Sequence, residues 1–473
     1  MTNEKPRTFK WFPVMVLVSI FQAICSLTVL TKTNEFSYTL MLLLVGYMAV
    51  EWIYLFTARI FFGLRHLEIE VLGFFLSGIG LTVCASVSED YALKQGGAIL
   101  LGLIVYIAML AVLRRTDIVS KLRTPIAICA IALLILNLAL AKTKNGTLNW
   151  ITVAGVSIQP SEIVKLAFIF VGAASLEKLQ RTRSITKYII FAVVCVGFLF
   201  LMRDFGTALI FFFTFVVMAF MRSGDVRTIA LVCAGAVLGA VMVIYFKSTV
   251  AARFATYRHI WDDMYGKGMQ QTRALIYSAS GGLFGLGIGN GKLKNTFAAT
   301  TDLVFGMICE EWGLIIALMI MLSFAFLVLY CVKTARSTRS AFYAIAACAA
   351  SGMLLFQASL NIFGVTDLLP FTGVTLPFIS RGGSSMLCSW GLFAFIKSAD
   401  ISTYPKLTKT ILPDHPLYAD DSLQTAPSGQ QAKPTAIFIR TAVFLPQARC
   451  MTQTAKSLHK PLTAKENITP MLR

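Results

Sequence analysis

Apolar runs of roughly 17–25 residues, each followed by a short polar stretch, recur along this chain. A run of that length can cross the hydrocarbon layer of a membrane as a single α-helix. Such runs are centred near residues 21, 48, 78, 104, 133, 170, 195, 213, 236, 320, 350 and 391. The pattern therefore predicts an all-α polytopic membrane protein with about twelve transmembrane helices.

Composition and charge agree with this pattern. Of the 473 residues, 57% are hydrophobic and only 14% are charged. The net charge of +19 is unevenly distributed: if the N-terminus is cytoplasmic, the short cytoplasmic segments carry eighteen Lys and Arg and the short external segments carry six. Basic residues favour the cytoplasmic side, so both termini are expected in the cytoplasm and membrane lipids are the expected surroundings. The basic excess is a topology signal and does not indicate nucleic acid.

Cysteine and histidine usage excludes some kinds of site. The ten cysteines are scattered, and none of the four histidines is close in sequence to another. This distribution predicts neither a His/Cys metal site nor haem.

Three segments depart from the pattern of spans joined by short loops. The first, residues 142–161, and the second, a long loop at 247–301, are both expected outside the cell. The third is the tail, residues 399–473, which is rich in Pro, Ser, Gln and Thr. That composition predicts a disordered cytoplasmic tail.

Charged groups in or beside the predicted spans need a reason, because each costs roughly 2.5–3.5 kcal/mol to insert. Glu162 and Lys165 lie three residues apart, so they form either a local ion pair at a helix start or one wall of a polar cavity. Asp204 either caps the following helix or faces the same cavity.

The segment 300–313 carries a capping Asp302 and then Glu310 and Glu311, about 12 Å further along a helix. Two glutamates at that depth favour function over packing. The Pro- and Gly-rich segment 361–385 breaks the helical pattern, and irregular backbone at membrane depth survives where it is buried in protein or lines water. Together these segments predict an outward-opening polar cavity roofed by the long loop.

These motifs together resemble the SEDS family (shape, elongation, division and sporulation), whose best-known members are FtsW and RodA. In order they are QPSE at 159–162, DFGTA at 204–208, DDMYGKGMQ at 262–270, SGGLFGLG at 280–287, TDLVFGMICEEWG at 301–313 and LLPFTGVTLPFISRGGSS at 368–385. The resemblance implies a ten-helix core at 63–398, preceded here by an added transmembrane hairpin at 1–62.

The resemblance also implies an activity. Family members are peptidoglycan glycosyltransferases that polymerise lipid II into glycan strands in the bacterial cytoplasmic membrane, alongside a class B penicillin-binding protein. Asp263 matches the essential aspartate of the family, which would act as general base or hold a divalent cation, Mg²⁺ or Mn²⁺; no organic cofactor is implied. Further motif positions are expected to line the substrate cavity: Glu162, Lys165, Asp204, Lys267, Gln270, Arg273, Asp302, Glu310, Glu311, Ser384 and Ser385.

Some motif positions depart from the family pattern. Met264 and Met269 stand where the family has proline and tyrosine, so the detailed geometry of the loop is open. Arg203 and Arg381 likewise replace a proline and a common tyrosine.

Two other functions remain compatible with the sequence. A flippase for lipid-linked precursors would depend on Glu162, Glu310 and Glu311 and not on Asp263. A scaffold that only activates a partner would need no single carboxylate. Whether the chain serves division, elongation or sporulation is left open.

Overall fold

The computed structural model describes residues 11–32, 37–60, 64, 66–144, 147–153, 156–177, 182–227, 230, 232–235, 245, 248–338 and 340–400. The chain divides into two units, residues 1–426 and 427–473, and all described residues belong to the first. The predicted disordered tail lies outside the described residues, apart from its first two positions.

Helices dominate the described part of the chain. They are α1 Trp11–Lys32, α2 Tyr38–Ile60, α3 Glu68–Val87, α4 Glu89–Leu113, α5 Thr116–Leu140, α6 Pro160–Leu176, α7 Thr182–Leu201, α8 Phe205–Ser223, α9 Ser248–Thr256, α10 Met269–Ser280, α11 Val304–Glu311, α12 Gly313–Ala335, α13 Ala341–Val365 and α14 Gly383–Ala399. The all-α polytopic class is confirmed.

Eight of these helices are long and apolar enough to cross a membrane: α1 to α4, most of α5, α8, α12 and α13. Helices α6, α7 and α14 lie at three more of the predicted positions. The remaining predicted span, centred near residue 236, lies largely outside the described residues. The total of twelve spans therefore stays a prediction.

A buried tryptophan of α14 ties the centre of the bundle together. The Trp390 ring lies 5.2 Å from the Phe74 ring of α3 and 5.7 Å from the Tyr106 ring of α4. Glycine makes room for it, because a Cβ on Gly73 or Gly102 would come within 2.9 or 2.8 Å of the indole. Small residues that let helices approach closely are the usual basis of packing in membranes, where the lipid competes for apolar contacts.

A small antiparallel sheet, which the sequence did not predict, joins α5 to α6. Its strands are β1 Lys142–Lys144, β2 Thr147–Val153 and β3 Val156–Ile158, in the order β1-β2-β3. The sheet ends just before Gln159, so it places both its own Asn149 and Gln159 beside the start of α8.

The long loop at 247–301 is largely structured. It contains α9, α10 and a 3₁₀ turn at Leu293–Asn295. Between α10 and that turn lies a glycine loop (residues 281–291), in which Gly285, Gly287 and Gly289 have φ of +81°, +92° and +78°. Only glycine adopts such angles without strain, which explains its spacing here.

The first two helices form the predicted N-terminal hairpin and pack against α3 and α4. A buried polar contact fastens them. Gln22 Nε2 of α1 donates to Glu51 Oε1 of α2 at 2.9 Å, and Tyr47 hydroxyl of α2 donates to the Phe74 carbonyl of α3 at 2.8 Å. A polar contact among apolar side chains resists replacement because no lipid group can substitute for it.

Candidate functional site

The acidic turn (residues 262–268) presents the predicted catalytic aspartate to solvent. Asp263 is exposed, and its Oδ2 accepts a hydrogen bond from the Lys267 backbone N–H at 2.9 Å. Its carbonyl accepts from the backbone N–H of Gly268 at 3.1 Å. A Cβ on Gly266 would stand 2.4 Å from both carboxylate oxygens. The glycine spacing of the motif thus allows the backbone to fold tightly under the carboxylate.

Helix α10 carries this turn and is fixed to its surroundings by polar side chains. Gln270 Nε2 donates to the Phe297 carbonyl at 3.4 Å, and Gln271 Nε2 donates to the Gly364 carbonyl at 3.0 Å. Thr272 hydroxyl donates to the Ile260 carbonyl at 3.1 Å. The predicted substrate residues Lys267 and Arg273 are both exposed, and both follow Asp263 in sequence: Lys267 lies in the turn and Arg273 on α10. A carboxylate and two cations therefore lie on one short, well-anchored segment.

The predicted ion pair of α6 is present and buried. Lys165 Nζ lies 2.7 Å from Glu162 Oε1, and Lys165 is only 1% exposed. The same Nζ donates to Gln357 Oε1 of α13 at 2.8 Å. Two partners for one ammonium offset the desolvation that an isolated buried charge would suffer.

This pair begins a hydrogen-bonded layer that crosses to α14. Gln357 Nε2 donates to the Thr375 carbonyl at 2.9 Å, and the Thr375 and Ser385 hydroxyls are 2.8 Å apart. The Gln159 backbone N–H donates to the Ser384 hydroxyl at 3.4 Å. The structure thus brings both predicted serines together with Glu162 and Lys165.

Asp204 caps a helix, as its motif predicted, and also hydrogen-bonds two neighbouring side chains. It caps α8, since its Oδ1 accepts from the Thr207 backbone N–H at 3.2 Å. Its Oδ2 accepts from Asn149 Nδ2 at 2.8 Å and from Gln159 Nε2 at 3.0 Å. The cap therefore also belongs to the buried polar layer, because Gln159 contacts Ser384 as well.

Arg253 of α9 interacts electrostatically with two of the predicted acidic residues, Asp204 and Asp302. Burial lowers the pKa of its guanidinium, and the nearby carboxylates of Asp204 and Asp302 oppose that shift. Its Nη1 donates to the Thr372 carbonyl at 3.2 Å. Burial raises the pKa of Asp302 to about 6, although the Thr301 hydroxyl and Arg253 favour its charged form. The pKa of Asp302 thus lies closer to neutral pH than that of an ordinary aspartate.

Glu310 and Glu311 make structural contacts. Glu310 Oε1 and Oε2 accept from the backbone N–H groups of Lys292 at 2.7 Å and Leu293 at 3.0 Å. Glu311 Oε2 accepts from the Gly289 backbone N–H at 2.9 Å. The Glu311 carboxylate therefore holds the glycine loop and the Glu310 carboxylate holds the two residues that follow it, and their predicted role in the substrate cavity stays a prediction.

Two polar residues of the site were missed as site residues by the sequence analysis. Gln357 and Asn361 lie one turn apart on α13, and Asn361 Nδ2 donates to the Asp302 carbonyl at 2.9 Å. Amides four residues apart within an apolar span were a usable signal.

The described residues contain no cluster of three or more His, Cys, Asp or Glu side chains able to bind a metal ion. Asp263 therefore lacks the partners of an all-protein cation site within that part of the chain. A cation held by one carboxylate and by substrate oxygens remains compatible with the turn, since Mg²⁺ is often bound in that way.

Comparison with known proteins finds relatives that are FtsW, RodA or sporulation proteins. A probable peptidoglycan glycosyltransferase FtsW of Buchnera aphidicola is 30% identical over 60% of this chain and 74% of its own length. Stage V sporulation protein E of Bacillus subtilis is 32% identical, with 51% and 68% covered. The peptidoglycan glycosyltransferase RodA of Mycobacterium tuberculosis is 30% identical over 54% of this chain, which spans only 57% of that relative.

Solved structures share the fold. A chain from a study of a peptidoglycan synthase complex that coordinates polymerisation and crosslinking superposes with a TM-score of 0.61 at 22% identity, covering 72% of this chain and 98% of that one. The rod shape determining protein RodA of Thermus thermophilus gives a TM-score of 0.52 at 23% identity, covering 72% and 97%.

The family model described as "cell cycle protein" matches residues 66–404, which includes the acidic turn, the buried polar layer and the glycine loop. This match covers well over half of the chain, and the chain belongs to the FtsW/RodA/SpoVE family.

Proposed function

We propose that this protein is a peptidoglycan glycosyltransferase that polymerises lipid II into glycan strands at the outer face of the bacterial cytoplasmic membrane. Relatives at about 30% identity carry that activity in their names. The observation that carries the proposal is the exposed Asp263 carboxylate, which the backbone of a glycine turn holds in place. A carboxylate held in this way is suited to general base catalysis.

The chemistry assigns Asp263 one task. Joining two lipid-linked sugars requires the acceptor GlcNAc 4-hydroxyl to lose its proton while a pyrophosphate leaves the donor. Asp263 Oδ1 would take that proton, since Oδ2 is occupied by the Lys267 N–H. Because the carboxylate is exposed on the loop, a substrate anchored in the bilayer by its lipid can reach it from the membrane surface.

The second task is to stabilise the charge that develops on the pyrophosphate. Two basic residues of the loop are otherwise engaged: Arg253 interacts electrostatically with Asp204 and Asp302, and Lys294 Nζ donates to the Gly289 carbonyl at 2.7 Å. Lys267 and Arg273 are exposed beside Asp263 along the chain. We assign them the pyrophosphate, because fixed cations stabilise such developing charge.

A divalent cation fits this arrangement only if the substrate supplies most of its ligands. In that case Asp263, as the alternative to acting as the base, would hold Mg²⁺ or Mn²⁺, with further oxygens supplied by the substrate. Bound there, the cation would neutralise the charge of the leaving group.

The buried polar layer would form the floor of the substrate cavity. Glu162, Lys165 and Ser385 are joined by hydrogen bonds through Gln357 and Thr375, and the Ser384 hydroxyl accepts from the Gln159 backbone N–H. A hydrogen-bonded layer of this kind holds the helices beneath the loop in one arrangement. A flippase would need this layer to open, and the relatives' names favour the glycosyltransferase.

The partner and the orientation are part of the proposal. A class B penicillin-binding protein is the expected partner, and the structural neighbour from a peptidoglycan synthase complex supports an assembly of that kind. The excess of basic residues in alternate loops supports cytoplasmic termini, which puts the acidic turn outside.

The test is lipid II polymerisation by the purified chain with its class B partner and Mg²⁺ or Mn²⁺. Asp263→Ala is expected to lower the rate by about a thousandfold while leaving the unfolding temperature unchanged. Asp262→Ala is the matched control, since Asp262 is the adjacent exposed carboxylate. Equal rates for wild type and Asp263→Ala would overturn the assignment of the base. Movement of lipid II across vesicles without polymerisation would favour the flippase.

A further inference from the structure

The N-terminal hairpin precedes the part of the chain that the family model matches, which begins at residue 66. It nevertheless contacts the glycine loop. At the last residue of α1, Lys32 Nζ donates a hydrogen bond of 2.5 Å to the Ile288 carbonyl. Residues 32 and 288 are far apart in sequence, so this contact depends on the docked hairpin.

Glycines flank Ile288 on both sides, and the Lys32 side chain passes close to them. The Lys32 side chain lies 3.7 Å from the point where Gly287 would carry a Cβ and 3.6 Å from the corresponding point on Gly289. These are ordinary contact distances, and it is the positive φ of both residues that disfavours a side chain there. The lysine stem therefore runs along a strip of bare backbone to reach the carbonyl.

Gly287 bonds to backbone groups, since its N–H donates to the Glu311 carbonyl and its carbonyl accepts from the Asn290 N–H. The hydrogen bonds at Ile288 and Gly289 instead involve side chains, because this backbone forms neither helix nor strand. Glu311 Oε2 accepts from the Gly289 N–H, Lys294 Nζ donates to the Gly289 carbonyl, and Lys32 Nζ donates to the Ile288 carbonyl. Glu311 and Lys294 lie within the family match, whereas Lys32 lies outside it.

Helix α10 links the glycine loop to the acidic turn. Helix α10 begins directly after that turn and ends at Gly281, the first residue of the loop. A Cβ on Gly281 would stand 2.0 Å from the Cys309 carbonyl, so the end of α10 lies against the backbone of α11. A shift of the loop at this contact would move α10, and with it Asp263.

We propose that Lys32 is a positioning residue for the glycosyltransferase, by which the N-terminal hairpin holds the glycine loop and, through α10, the Asp263 carboxylate. The inference rests on the proposed function for its catalytic part. The alternative is that Lys32 has only a local role, in which its charge interacts favourably with the helix dipole at the C-terminal end of α1. That role would stabilise the helix without affecting the loop.

The experiment compares Lys32→Met, which keeps the length of the side chain but removes the donor, with Lys32→Arg, which restores a cationic donor. Lys94→Met is the matched control, because Lys94 is an exposed lysine paired with Asp90 at 2.6 Å near the start of α4. Amide hydrogen exchange is measured on the purified full chain. Lipid II polymerisation is measured with the class B partner present.

Lys32→Met is expected to raise exchange at residues 285–291 by about tenfold while leaving α3 and α4 unchanged. The kcat should fall by about tenfold with KM nearly constant, since the loop alters alignment at the reacting atoms. Lys32→Arg should recover most of both effects, and Lys94→Met should show neither.

Unchanged exchange in Lys32→Met would overturn the proposed contact, whatever the activity. Raised exchange with wild-type kcat would overturn the positioning role while leaving the proposed function intact. If the wild type makes no glycan, the proposed function fails, and with it the catalytic role of Lys32. The exchange arm still decides whether Lys32 holds the loop.

Discussion

Two acidic pairs of this protein, Asp262–Asp263 and Glu310–Glu311, have the same appearance in sequence and different environments in the structure. Asp263 is exposed and takes one backbone N–H on Oδ2. Glu310 is 1% exposed, and its two oxygens take two backbone N–H groups. One carboxylate is available to a substrate, and the other is used to hold a loop.

A glycine lies against each carboxylate. A Cβ on Gly266 would stand 2.4 Å from the Asp263 oxygens, and a Cβ on Gly291 would stand 2.7 Å from Glu310 Oε2. In both places a glycine lets the backbone pass close to a carboxylate, which is exposed in Asp263 and buried in Glu310. The comparison suggests a rule: a carboxylate whose two oxygens both accept backbone hydrogen bonds stabilises the fold, whereas one with a free, exposed oxygen is available for catalysis. Adding one methyl group at each glycine tests that assignment.

Gly266→Ala should have the largest effect on activity. The added methyl displaces the Asp263 carboxylate, and polymerisation should fall about a hundredfold because alignment at the reacting atoms is lost. The unfolding temperature should stay near that of wild type, since the turn is exposed. Gly97→Ala is the control, because nothing lies within 4 Å of that position. A large drop in stability without loss of kcat would show that the turn is structural.

Gly291→Ala should act on stability instead. The methyl would press on Glu310 Oε2 and on Glu311, in a buried region that cannot relax easily. Overpacking of this kind costs about 1–3 kcal/mol, measurable as a lower unfolding temperature. Gly197→Ala on α7 is the control, since its surroundings are open. If Gly291→Ala kept its unfolding temperature but lost activity as strongly as Gly266→Ala, the glutamates would belong to the reaction.

Asp302, which is partly buried, should show the smallest effect, visible through pH. Burial raises the pKa of its carboxyl from 3.8 to about 6. The protonated form therefore contributes stability that is fully present below about pH 4 and is lost as the pH rises through 6.

Asp302→Asn cannot ionise, so its stability relative to wild type should increase by about 1–2 kcal/mol between pH 4 and pH 7. Unfolding temperatures across that range measure it, with the exposed Asp90→Asn as control. A flat difference between Asp302→Asn and wild type would show that the carboxyl of Asp302 titrates at its ordinary pKa.

Local features of the site were predictable from sequence. Glu162 and Lys165 are three residues apart on a helix, so their contact follows from helical geometry, and the structure has it at 2.7 Å. The cap at Asp204 and the glycine turn at Asp263 likewise follow from short motifs. Such features depend on neighbours within one turn of the chain, where the sequence specifies the geometry.

Other features were not predictable in this way. The second partner of Lys165, Gln357, lies 192 residues further along the chain. The sequence predicts a functional role for Glu310 inside the membrane. Its contacts with Lys292 and Leu293 could not be predicted, because they arise only where the glycine loop folds back over α11. The sheet at 142–158 was missed because strands of three to seven residues give little periodic signal.

The sequence by itself determined the membrane class, the positions of most helices and the residues of the acidic turn, because apolar periodicity and glycine spacing act over short distances along the chain. Only the tertiary structure decided which polar groups meet, since that depends on how distant helices pack. It joined Lys32 to Ile288 and Lys165 to Gln357, and it left Asp263 exposed while burying Glu310. The physical reason is that a buried polar atom must find a partner wherever the fold provides one.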